Sequence, residues 1–112
     1  MEESAKRRIP RVDPVIAEGI RYEVLRAARS RGFAQNGGVI AAIEAASGRE
    51  LWTLQVYGVQ YDPAEEADAQ DVYITELKVD VAAKVLLVKN EERRNFKVQL
   101  ADRSVAESPQ MR

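Results

Sequence analysis

Ala42-Ile43-Glu44-Ala45-Ala46-Ser47-Gly48-Arg49-Glu50-Leu51-Trp52 is the stretch that decides the fold class. An apolar run ends at a carboxylate, Ser47-Gly48 supplies the residues a tight turn favours, and Leu51-Trp52 opens a second apolar run. This is the pattern of a β-hairpin, with strands over 39–44 and 50–60. In the second strand Trp52, Leu54 and Val56 share one face, and Thr53, Gln55, Tyr57 and Val59 share the other.

Working outward, Val72–Val81 reads as the next strand, with a break in alternation at Thr75-Glu76 that a β-bulge would repair. Lys84–Asn90 and Phe96–Leu100 read as a hairpin closed by Glu91-Glu92-Arg93-Arg94. Phe96, Val98 and Leu100 should point inward and Lys97 and Gln99 outward. Val85-Leu86-Leu87-Val88 is apolar on both faces, which places it near a sheet centre. Upstream, Ile20-Arg21-Tyr22-Glu23-Val24 alternates as a strand over 17–26, although Asp13-Pro14 with Ile16, Ile20 and Val24 also fits a helix at about 14–29. The expected fold is therefore all-β: a six-stranded antiparallel meander, curled or closed into a small barrel. The alternative is an α+β arrangement with that helix on the sheet. Residues 1–12 read as a flexible basic arm, 13–106 as one β domain and 107–112 as a disordered tail.

Composition narrows the chemistry. The chain has 112 residues, 46% hydrophobic and 31% charged, enough for one domain burying roughly two-thirds of its extended surface. With no cysteine and no histidine it lacks thiol nucleophiles, thiolate or imidazole metal ligands and the commonest general base. Net charge is −1; residues 1–49 carry 9 basic and 6 acidic side chains, residues 50–112 carry 8 and 12. Neither half has the basic field of a nucleic-acid binder. Lys6, Arg7, Arg8, Arg11, Arg26, Arg29 and Arg31 read as solubilising charges rather than phosphate contacts. No stretch approaches the roughly 20 apolar residues of a membrane span, and the first residues do not form a secretory signal. A cytoplasmic protein is expected.

The hairpin pattern Ala42-x-Glu44-x-x-Ser47-Gly48-x-x-x-Trp52 resembles the repeat of quinoprotein-type (PQQ-like) β-propellers, with Glu44 and Ser47 in place of the repeat's Asp and Thr. A weaker echo is Phe96-x-Val98-x-Leu100-x-x-Arg103-x-Val105, without the glycine or tryptophan. The resemblance covers about a dozen residues. It implies hairpin geometry, a carboxylate bonded into the turn and a tryptophan between layers. A complete propeller takes about 4–8 four-stranded blades, more than this chain holds. The resemblance carries over no quinone or other cofactor.

Two groups of residues are candidate sites. Tyr57, Val59 and Tyr61, joined by Tyr73, would form an aromatic stripe opposite the core face, suited to a half-wet protein interface. Asp62, Glu65, Glu66, Asp68 and Asp71 form an acidic loop with oxygen donors for a hard cation, or a carboxylate pair for hydrolysis; its spacing fits no EF-hand, and the reading favoured here is a solvated surface loop. The function expected from sequence is non-catalytic. It is a protein–protein interaction or self-associating module, with a protein partner or a homo-oligomer, no cofactor, no metal and no nucleic acid.

Overall fold

A computed structural model of the chain describes residues 9–65 and 70–108. The fold is all-β, in two four-stranded antiparallel sheets. Sheet 1 contains β1 (Val15–Ala17), β2 (Ile20–Val24), β3 (Val39–Glu44) and β4 (Glu50–Gln55); sheet 2 contains β5 (Ile74–Asp80), β6 (Val85–Asn90), β7 (Asn95–Gln99) and β8 (Val105–Ser108). In each sheet the strands lie side by side in chain order. The single six-stranded meander expected from sequence is thus two sheets of four, and no helix spans 14–29. Its place is taken by β1, β2 and one 3₁₀ turn, Ala28–Arg31.

Local chemistry accounts for the difference. Glu18 and Gly19 both take positive φ, 53° and 80°, so the chain reverses between β1 and β2 instead of running through as one strand. The long strand expected over 50–60 stops at Gln55. Beyond it the chain turns inward: Val56 N–H donates to Gly38 O at 2.7 Å, and Val56 and Tyr57 are both buried. Glu107 and Ser108, expected in a disordered tail, belong to β8, where Phe96 pairs Glu107 and Asn95 pairs Ser108. Residues 1–8 of the expected arm and 109–112 of the tail lie outside the described residues.

The β3–β4 hairpin forms as its residues dictate. Glu44 N–H donates to Arg49 O and Gly48 N–H to Glu44 O, both at 2.8 Å, with Gly48 at φ 77°. Ser47 Oγ–H donates to the Glu44 carboxylate and accepts Arg49 N–H at 3.1 Å. In sheet 2 the register shifts between Ile74 and Glu76, so both Ile74 and Leu77 reach the core.

One hydrophobic cluster joins the sheets. Tyr22, Ile40 and Ala42 come from sheet 1, Leu77, Leu86, Val88, Phe96 and Val98 from sheet 2, and Val56, Tyr57 and Ile74 from the connection and its entry into β5. Trp52 packs at its edge, 6.1 Å from the Tyr22 ring, and the Arg103 guanidinium from the β7–β8 turn lies 5.4 Å over the indole. The sheets approach most closely at their first strands, β1 and β5.

Candidate interaction surface

The connection between the sheets is held by buried polar groups. Gln35, 2% exposed, donates from Nε2 to Gly37 O (2.7 Å) and Tyr57 O (2.8 Å), and its Oε1 accepts Val59 N–H (2.9 Å). Every one of its main polar valences is used, as a buried amide requires. Gly37 passes so close to the backbone at Val72 that a Cβ would stand 2.2 Å from the carbonyl oxygen. Nothing in the sequence alone singles out Gln35 except its place beside Asn36-Gly37-Gly38.

This framework undoes the expected aromatic stripe. Tyr57 is 7% exposed, stacks on Phe96 at 5.1 Å between centroids, and donates its hydroxyl to Val72 O at 2.6 Å. It is a core residue, because the chain leaves β4 and turns inward at Val56. Burial pushes its phenol well above the ordinary range, aided by Glu91 and Glu92. Val59 is half-buried and tied to Gln35. Tyr61 and Tyr73 do come together, but around a carboxylate: both hydroxyls donate to Asp71, Tyr73 at 3.2 Å. Arg29 stacks over the Tyr61 ring at 4.8 Å. Burial first, then the bond to Asp71, raises the Tyr61 phenol.

Among its described residues the acidic loop does not gather its carboxylates. Asp71, 2% exposed, is taken up by the tyrosines. Asp62 caps its own turn through Ala64 N–H (2.9 Å), and Gln70 closes the loop onto Asp62 and Glu65 backbone groups. Glu66 and Asp68 lie outside the described residues. Among the described residues no three acidic side chains are grouped to hold a metal ion, and no helix is long and apolar enough to cross a membrane.

The larger surfaces are the two outward sheet faces. On sheet 1, Ile16, Arg21 and Ile43 pair in a row that ends at Glu50-Leu51. Ile16 is 63% exposed and Leu51 37%. Glu23, Ala41 and Thr53 form the next row. Val39 and Ala41 point the same way yet are fully buried, and Ile43 is 8% exposed. Glu50 pairs Ile43, so its ion pair with Arg31 (2.6 Å) ties the 25–38 connection to the far end of this face from Val39. On sheet 2 the outward rows are Lys78–Leu87–Lys97–Ala106 and Glu76–Lys89–Asn95–Ser108. They border a groove of about 190 Å³. Lys78 pairs Glu76 at 2.9 Å and holds its carboxyl below the usual range. Of these residues the sequence marked only Lys97 as an outward position, and none as a site.

Compared with protein-family models and with curated proteins, the chain matches none.

Proposed function

We propose that this chain is a non-catalytic association module whose outward sheet faces are covered by protein. The observation that carries this reading is the pair of exposed aliphatic side chains on sheet 1, Ile16 and Leu51, on a sheet whose other face is already buried. A sheet that leaves large aliphatic side chains in water loses the free energy of burying them, on the order of 1 kcal/mol for each half-exposed chain. The edges β4 and β8 add unpaired backbone groups that a partner can use.

The test is a paired capture from native lysate with wild type and an Ile16→Lys/Leu51→Lys variant as baits, both shown to be folded by circular dichroism. A protein held by wild type and lost by the variant supports the reading. No protein held by either bait sinks it.

A further inference from the structure

Where β2 hands over to the 25–38 connection, the chain bends around an open cavity of about 220 Å³. Three stretches meet there: Ile9 from ahead of β1, residues 24–27 from the exit of β2, and Tyr73 from the entry into β5. Backbone chemistry builds the corner. Leu25 N–H donates to Val39 O at 2.9 Å, which carries the β2–β3 ladder one step past the strand end. Ala27 then takes φ 53°, the left-handed region that an alanine enters only when its surroundings hold it there. Its carbonyl accepts Ser30 N–H at 3.0 Å and Ser30 Oγ–H at 2.7 Å, so the reversal is pinned from the 3₁₀ turn. Asn36 closes the lining from the far end of the connection, its Oδ1 accepting Arg29 N–H at 3.0 Å.

The walls are apolar and the polar chemistry among them is one-sided. Arg26 is the only charged residue of the lining, and it forms no ion pair among the described residues. Asn36, with its oxygen engaged, has its Nδ2 hydrogens left to donate. Two acids approach behind Tyr73, and both already accept hydrogen bonds. Asp71 accepts the hydroxyls of Tyr61 and Tyr73, and Glu91 accepts Tyr73 N–H at 2.9 Å. The cavity therefore offers donors and one positive charge, set in aliphatic surroundings. We propose that it binds a small monocarboxylate with a compact apolar body, the carboxylate at Arg26 and Asn36 and the body against Ile9, Val24 and Leu25. This goes beyond the association reading and uses none of the residues that carry it.

Size and charge select this class of ligand. An apolar cavity of about 150 Å³ is filled by benzene, so the 220 Å³ here takes about nine heavy atoms, the size of benzoate or a branched aliphatic acid. A carboxylate presents two oxygens to the planar fork of a guanidinium, and its apolar body gains by leaving water. A phosphate dianion would bring a second charge that a single cation does not meet. A neutral apolar molecule would cover Arg26 and Asn36 without giving either an acceptor. Because the lining joins the exit of β2 to the entry of β5, a bound acid also ties the two sheets together and raises the melting temperature.

The experiment is a titration of the purified, ¹⁵N-labelled full chain with sodium benzoate at constant ionic strength, followed through the backbone amide shifts. Shifts should centre on residues 24–27, 36 and 73 and saturate with a Kd of about 1 mM or tighter. Benzamide, of the same shape without the charge, should bind at least tenfold more weakly. Arg26→Gln should weaken benzoate at least tenfold and leave benzamide unchanged. Ile9→Asp, a change at a 39%-exposed position that sets a repelling charge in the wall, should also lose benzoate while the fold is kept. Arg49→Gln removes the same charge from the β3–β4 turn, at the other end of sheet 1, and should bind as wild type does. So should the Ile16→Lys/Leu51→Lys variant, which keeps the outcome separate from that of the lysate capture. No saturable shift at tens of millimolar, shifts scattered over the surface, benzamide binding as tightly as benzoate, or full binding by Arg26→Gln overturns the proposal. Inorganic phosphate displacing benzoate at equal concentration overturns the carboxylate assignment with it.

Discussion

Replacing Tyr57 with serine separates a core residue from a surface stripe by a margin that is easy to measure. The ring is 7% exposed and stacked on Phe96 at an interplanar angle of 20°. Truncating a buried aromatic side chain costs about 3–5 kcal/mol, cavity included; loss of the ring pair accounts for about 0.5–1.5 kcal/mol of that. Loss of the hydroxyl bond to Val72 O adds about 1 kcal/mol. The sum, about 4–6 kcal/mol, is a large part of the roughly 5–15 kcal/mol that holds a domain together. Urea unfolding followed by Trp52 fluorescence should show that loss for Tyr57→Ser and about 1 kcal/mol for Tyr57→Phe. Tyr61→Ser, which removes a half-buried ring, should fall between them. A Tyr57→Ser protein within about 1 kcal/mol of wild type would falsify the placement of this residue.

Other outcomes follow from the same framework. Gly37→Ala should cost about 1–3 kcal/mol in a thermal or urea melt, since its Cβ would stand 2.2 Å from a backbone oxygen with no flexible group to yield. Gln35→Leu leaves two carbonyls and one N–H buried without their partner and should destabilise by about 3 kcal/mol or more, read as a lower urea midpoint at unchanged slope. The Arg94 guanidinium, forked onto Glu107 at 2.8 Å to each oxygen, holds that carboxyl below the usual glutamate range. A depressed folded-state pKa stabilises above the unfolded value and is lost as pH falls through the folded one. Glu107→Gln should therefore flatten the melting-temperature profile below about pH 4.5 and leave the alkaline side alone. Tyr57 has the opposite sign: its raised pKa stabilises fully below about pH 10, the ordinary phenol value, and this is lost at higher pH, so Tyr57→Phe should melt less steeply there.

How much of this was legible depends on which force acted locally. Ser47-Gly48, the bulge at Thr75 and the outward Lys97 and Gln99 follow from turn chemistry and period-two alternation, and all are where the pattern puts them. Gly19 misled because a glycine inside an alternating run reads as a weak strand, whereas Glu18-Gly19 makes a two-residue reversal. β8 was invisible: Val105-Ala106-Glu107-Ser108 has one large apolar side chain, and it pairs only through β7. Tyr57 misled because alternation carries information only while the chain stays in a strand. The division into two sheets is set by Gln35 and the Gly37–Val72 approach, contacts between residues 15 to 35 positions apart that no local pattern encodes.

Coverage of the outward face of sheet 1, where Ile16 and Leu51 stand exposed, is the central claim, and paired capture from native lysate with wild type and the folded Ile16→Lys/Leu51→Lys variant tests it most directly. The account predicts a protein held by wild type and lost by the variant. The same protein held equally by both baits, or none held by either, would contradict it.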